Sequence, residues 1–166
     1  VVMGGSIREG GNVTPVAEAN MFNDPQAASR VLTAGWPLTL VGLDATHRCV
    51  LTPAHMARIA TGQGELGRVL ARSYAFYRDF YQTFLGIDGC CPHDSCALAW
   101  LLRPDLFTTA RGHLNVVTEG VAEGQTLFAP EGRAYAQQRW SSTPPVEVCL
   151  DARGDAVSDW ITEVLG

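Results

Sequence analysis

The sequence contains no lysine: its 12 cationic side chains are all arginine, set against 17 aspartates and glutamates for a net charge of −5. No basic cluster interrupts that balance, which argues against a nucleic-acid partner or an anionic membrane surface. The missing lysine is read as genome composition and not as a binding signature. No apolar run approaches the roughly 20 residues that a membrane-spanning helix needs, and no secretory leader is visible. Internal repeats and low-complexity tracts are absent too. The 5 cysteines (Cys49, Cys90, Cys91, Cys96 and Cys149) are odd in number and irregularly spaced, so they suggest no disulfide framework. Reduced thiols in a cytoplasmic protein are the expectation.

What is present is 166 residues, 46% of them hydrophobic, with a mean hydropathy of +0.04. That is enough for a single domain, residues 1–166, with its own core. Val1-Val2-Met3 reads as the end of a buried strand, which places the natural start upstream of Val1. Gly4-Gly5 and Gly10-Gly11 are turn formers. Asp24-Pro25 reads as the N-cap and first residue of a helix running to about Ala34. The apolar run 37–43 suggests a buried parallel strand, and Thr52-Pro53 opens another helix to about Ala60.

From 65 to 85, Leu66, Val69, Leu70, Tyr74, Tyr77, Phe80, Tyr81 and Phe84 recur at helical spacing. Gly86 stops that helix, and most of its aromatic stripe is expected in the core. A helix over 94–102, strands over 113–118 and 146–150, a long surface loop over 129–145 and a closing amphipathic helix over 156–165 complete the pattern. Alternating strands and helices predict an α/β fold with a largely parallel sheet flanked by helices.

Two stretches carry chemistry. Residues 11–25 place Asn12, Glu18 and Asn20 between a glycine turn and a helix start. These side chains would lack partners in a core strand, while Val13, Val16, Met21 and Phe22 are too apolar for a solvated linker. A polar-lined loop pinned to a hydrophobic body suits a small-molecule site; a surface loop with capping residues is the competing reading. Residues 92–99, Pro-His-Asp-Ser-Cys-Ala-Leu-Ala, place His93 beside Asp94 ahead of a helix.

Met3-Gly4-Gly5, Gly11-Asn12, Ala17-Glu18-Ala19-Asn20, Asp24-Pro25-Gln26-Ala27-Ala28, Leu43-Asp44-Ala45-Thr46-His47 and His93-Asp94-Ser95-Cys96-Ala97 follow one another in that order. The ordered set resembles the inosine-uridine-preferring nucleoside hydrolases over nearly the whole chain. The opening Asp-x-Asp-x-x-x-Asp-Asp motif of that family is missing, so the resemblance is to a C-terminal portion. It implies the nucleoside hydrolase fold and hydrolysis of the N-glycosidic bond of ribonucleosides, through an oxocarbenium-like sugar. It also implies a calcium ion held mainly by carboxylates, which suits a hard cation, and assembly as homodimers or tetramers.

Carried over by position, Asp94 is a calcium ligand, and Asn12, Glu18 and Asn20 hydrogen-bond ribose hydroxyls. Met3 lines the pocket floor, Tyr81 contacts the base, and His93 supplies a proton to the leaving base. Asp44, Thr46 and His47 lie next to the pocket, with an orienting role expected in preference to catalysis. Two positions depart from the pattern: Ala19 stands where an aromatic is usual, and Leu85 where many relatives carry an arginine. With the aspartate motif missing and Asp94 the single metal carboxylate, this chain alone is expected to be inactive and to bind calcium weakly.

Each residue also has a plainer reading. Glu18 and Asn20 could cap a local loop, Asp94 could N-cap its own helix, and His93 could be a hydrogen-bonded structural histidine. Cys90, Cys91, His93 and Cys96 suggest a zinc knuckle, although no second ligand pair follows; a Cys91/His93 nucleophile pair is a further alternative. At the level of the whole chain, the alternative to an enzyme is a non-catalytic remnant or a ribose-binding module.

Overall fold

The computed structural model describes residues 1–62 and 64–166, with the side chains of residues 138 and 141 set aside. In chain order the elements are β1 (Val2–Met3), α1 (Ala19–Asn23), α2 (Pro25–Leu32), β2 (Thr39–Val41), α3 (Leu43–Thr46), α4 (Pro53–Gly62) and α5 (Gly64–Leu85). Then come α6 (His93–Leu102), β3 (Phe107–Val116), β4 (Thr126–Pro130), β5 (Val146–Ala152) and α7 (Gly154–Leu165). The strands form one sheet in the order β1-β2-β5-β3-β4.

The sheet is α/β and flanked by helices, but mixed where a largely parallel one was expected. Strands β1, β2 and β5 run parallel, whereas β3 pairs antiparallel with both β5 and β4. The connection from β3 to β4 is too short for a crossover helix, so it closes as an antiparallel pair. β4 falls partly in the stretch read as loop, and its Pro130 is tolerated because β4 is an edge strand. β3 starts six residues earlier than its apolar run, through Arg111 and Gly112.

Period-two alternation divides the core. Leu40, Leu114, Val146 and Val148 join Met21 and Leu32 on one face. Val41 and Cys149 turn the other way, to a cluster with Cys49, Ile59, Tyr74, Cys96, Ala99, Val157 and Ile161. Asp24 caps α2 as expected, accepting from the Ala27 N–H at 2.9 Å, with Pro25 at N1.

The aromatic stripe of α5 is the main correction. Tyr74 and Tyr81 are buried, but Phe84 is 70% exposed, and Leu66, Val69, Tyr77 and Phe80 are exposed too. The helix turns Gly67, Leu70, Ala71, Tyr74 and Tyr81 inward, so the rest of the stripe forms a second apolar face. Helical period alone does not separate two adjoining faces.

The turn after β1 positions everything near the C-terminal ends of the parallel strands. The Gly4 N–H donates to the Val41 carbonyl, and the Leu43 N–H to the Gly5 carbonyl. Gly5 has φ +72°, and a Cβ there would sit 2.7 Å from Thr126 Oγ1, so the turn requires glycine. The buried Asp44 carboxylate accepts from the N–H groups of Ile7 and Arg8, both at 2.7 Å. Losing a buried anionic acceptor strands both donors, so Asp44→Ala is expected to lower unfolding free energy by about 2–4 kcal/mol. Asp44→Asn, which keeps one acceptor oxygen, should lose about half of that. Urea unfolding of the variants measures it, and an Asp44→Ala midpoint matching the parent would refute the role.

Candidate functional site

Around the Gly4–Gly5 turn, four of the residues singled out by sequence are tied into one hydrogen-bonded group. Glu18 is the N-cap of α1, and its Oε2 accepts from the N–H groups of Gly5 (2.9 Å), Asn20 (3.0 Å) and Met21 (3.2 Å). Its Oε1 accepts from Asn20 Nδ2 at 3.1 Å, and that amide also lies 3.4 Å from Met3 Sδ. Asn12 Oδ1 accepts from the Ala19 N–H at 3.0 Å. Glu18 is buried while Asn12 and Asn20 are exposed. Met3 and Asn20 line an apolar cavity of about 220 Å³ against α2. The plain capping reading of Glu18 is therefore correct as far as it goes, and it leaves Oε1 with a single donor.

His93 begins α6, and its ring is held from both sides. Nε2 lies 2.8 Å from the Tyr81 hydroxyl on α5, and Nδ1 lies 2.7 Å from Thr46 Oγ1 on α3. The His47 ring packs 5.7 Å away, centroid to centroid. Burial, and then His47, pushes the His93 pKa down to about 4, with Asp94 opposing. The ring is thus neutral at pH 7 and carries one hydrogen. Burial also raises the Tyr81 phenol, with Cys91 next in effect.

Asp94 occupies the first turn of α6 and is exposed. Pro92 is the cap residue and α6 has no side-chain cap bond, so Asp94 does not N-cap its helix. Its position suits the positive end of the helix dipole. His93 and Asp94 line a cavity of about 330 Å³ with Ser73, Tyr74, Tyr77 and Cys90 among others. This cavity is separate from the one beside Met3 and Asn20.

Calcium favours six to eight oxygen ligands. Among the described residues no group of three or more His, Cys, Asp or Glu is placed to hold a metal ion. Asp94 belongs to no such group, so these residues do not by themselves fit calcium. The same finding removes support from a zinc knuckle at Cys90, Cys91, His93 and Cys96, and all five cysteines are free thiols.

The sequence reading gave Asp44, Thr46 and His47 one shared orienting role. The structure divides it: Asp44 holds the turn after β1, and Thr46 meets His93 itself. Tyr74 and Tyr77 were read only as members of the α5 stripe, yet they face the same cavity as His93.

The sequence model described as inosine-uridine preferring nucleoside hydrolase matches residues 1–159. The chain belongs to this family. It is 32% identical over 166 residues to a probable uridine nucleosidase 2 of Arabidopsis thaliana, covering 99% of this chain and 52% of that relative. Among solved structures, a plant nucleoside hydrolase, PpNRh1, superposes with a TM-score of 0.92 at 29% identity, covering 98% of this chain and 52% of that one. A purine-preferring ribonucleoside hydrolase from Gardnerella vaginalis gives 0.86 at 27% identity, with 98% and 50% covered. The chain spans about half the length of the relatives it matches.

In this nucleoside hydrolase family member burial disfavours the thiolate of Cys90, Cys91 and Cys149. Burial raises Cys90 to about 11 and, with Cys90 adding to it, Cys91 to about 12; burial likewise raises Cys149 to about 12. A raised pKa leaves less thiolate at neutral pH, and the thiolate is the reactive form. At pH 8 the folded protein should alkylate at Cys90 and Cys91 about 100-fold or more slowly than free cysteine. Mass spectrometry after timed iodoacetamide treatment reads this out, and fast labelling of Cys91 would revive the Cys91/His93 nucleophile.

Proposed function

We propose that this chain carries the ribose-binding and leaving-group side of a ribonucleoside N-ribohydrolase site. The observation that supports it best is His93, neutral and fixed between two hydroxyls, next to an uncapped and exposed Asp94. In this reading Asn12, Glu18 and Asn20 meet ribose hydroxyls, Met3 forms the floor and Tyr81 stands against the base. The His93 N–H serves the departing base, whose developing negative charge needs a hydrogen-bond donor or proton to leave well. Bound calcium would supply an electrophilic anchor for water and ribose in the family's chemistry. Asp94 is the residue of this chain that would contribute to holding it.

The names of the relatives divide between uridine and purine nucleosides, and Leu85 in place of the family arginine removes one contact by which a base could be chosen. A homo-oligomer and a cytoplasmic setting belong to the same proposal, the second supported by five free cysteines. No described helix is long and apolar enough to cross a membrane. A nucleoside-binding module without catalysis is the second reading, favoured by the lack of a carboxylate cluster among the described residues.

Two measurements test the proposal. The 166-residue chain alone should release no ribose from inosine or uridine above the buffer rate, since loss of a general base costs about 10²–10⁴-fold. Calcium-dependent ribose release would mean that an acid within this chain replaces the missing motif. In a chimera that supplies the aspartate-bearing half of a relative, His93→Ala should lower kcat/KM about 10²–10⁴-fold for natural nucleosides and hardly at all for a nitrophenyl riboside. Glu18→Ala should slow both substrates together, because the sugar is common to them. Equal losses for the two substrates in His93→Ala would remove the leaving-group role.

A further inference from the structure

We infer that Tyr74 is a positioning residue: its hydroxyl fixes the rotational setting of α5 and thereby delivers Tyr81 to His93. The inference rests on the proposed function for the role of His93, and on the contacts of α5 for everything else.

Gly67, Tyr74 and Tyr81 are the most deeply buried residues of α5, and they stand seven residues apart. Seven residues make almost two full helical turns, so the three share one face. Each does something different there. A Cβ on Gly67 would sit 2.6 Å from the Ile59 carbonyl oxygen, so glycine lets α5 lie directly against α4. The buried Tyr74 hydroxyl donates to the Leu51 carbonyl at 3.1 Å. The Tyr81 hydroxyl lies 2.8 Å from His93 Nε2.

Hydrophobic burial does not by itself choose this face. Leu66, Val69, Tyr77, Phe80 and Phe84 give α5 an apolar surface on its open side as well, and the hydrophobic effect has no direction. Rotating the helix by one position, about 100°, would offer other apolar side chains to the core and carry Tyr81 away from the histidine. A hydrogen bond does have a direction. The Leu51 oxygen that Tyr74 reaches also accepts from the Cys90 N–H at 3.1 Å, and the Leu51 N–H donates to the Cys90 carbonyl at 2.9 Å. Cys90 stands three residues ahead of His93. One oxygen therefore joins α5 to the segment that enters α6, and the same helix face meets the His93 ring two turns later. Tyr74→Phe leaves that oxygen its Cys90 donor, so the substitution removes a constraint without stranding a buried group.

In the parent chain the Tyr74 hydroxyl proton and the Cys90 N–H meet on one oxygen. Proton NMR should therefore show a slowly exchanging Tyr74 hydroxyl resonance with a cross-peak to the Cys90 N–H. A Tyr74 hydroxyl in fast exchange with water overturns the inference, and this reading needs no variant. Cys91 lines the seam between α5 and the start of α6. In Tyr74→Phe it should alkylate with iodoacetamide about 10-fold faster than in the parent, while Cys149, fully buried in β5, keeps its rate. An unchanged Cys91 rate overturns the inference, and so does an equal gain at Cys149, which would make the hydroxyl a general stabiliser. In the chimera, Tyr74→Phe should lower kcat/KM about 10-fold for natural nucleosides and much less for the nitrophenyl riboside. Equal losses there, with His93→Ala separating the two substrates, would remove the positioning role. Should His93→Ala itself fail to separate them, the leaving-group reading falls, and the hydroxyl proton and the Cys91 rate still decide the setting of α5.

Discussion

The segment following β1 runs between two buried carboxylates, and much of the structure depends on that arrangement. Glu18 takes the Gly5 N–H from one side, and Asp44 takes those of Ile7 and Arg8 from the other. A backbone in this position has left the ladder and would bury unpaired N–H groups without such acceptors. Both acids are nearly inaccessible, which is tolerable because each anion is surrounded by donors. The consequence is geometric. Met3, Asn12, Glu18 and Asn20 are fixed relative to the ends of β1 and β2, and α3 is fixed relative to the same turn.

The second half of the candidate site is built differently. His93 is held by the Tyr81 and Thr46 hydroxyls and shares its cavity wall with Cys90 and Cys91, while Cys49, Cys96 and Cys149 lie in the core cluster that α6 packs into. Small, weakly polar thiols exclude water without competing strongly for hydrogen bonds. Desolvation is the leading cause both of the depressed histidine and of the raised Cys90 and Cys91. Proximity of cysteine and histidine in sequence suggested zinc or a nucleophile pair; the physics of the wall gives these thiols a packing role.

How far the sequence could be read follows from the range of the forces involved. The Asp24-Pro25 cap, the Gly86 stop and the buried β2 are local events, and they stand where residue chemistry put them. No strand is expected over 126–130, and 129–130 fall in the expected loop, because the identity of β4 depends on pairing with β3, which no local pattern announces. The α5 stripe failed for a related reason: its period reports apolar faces and says nothing about how many the fold covers. Family motifs pointed to Thr46 and His93 separately. Their contact spans elements far apart in sequence and became visible only when α3 and α6 were placed side by side.

Glu18 shows why the plain and the functional readings of one residue need not compete. As a cap it receives three backbone N–H groups on Oε2, which fixes its rotamer and its position against the Gly4–Gly5 turn. Oε1, with Asn20 Nδ2 its one donor among the described residues, keeps lone-pair capacity in the direction of an exposed asparagine. A carboxylate held in this way has little conformational freedom left to lose on meeting a ligand, which is the condition for a preorganised contact. The same reasoning separates Asp94, whose side chain no described residue holds. An exposed acid without a partner gains order only from what it binds, and an oxygen-seeking cation needs several such ligands at once. Within the described residues the Glu18 group is therefore complete in its backbone hydrogen bonds, while Asp94 belongs to no cluster of metal-ligating side chains.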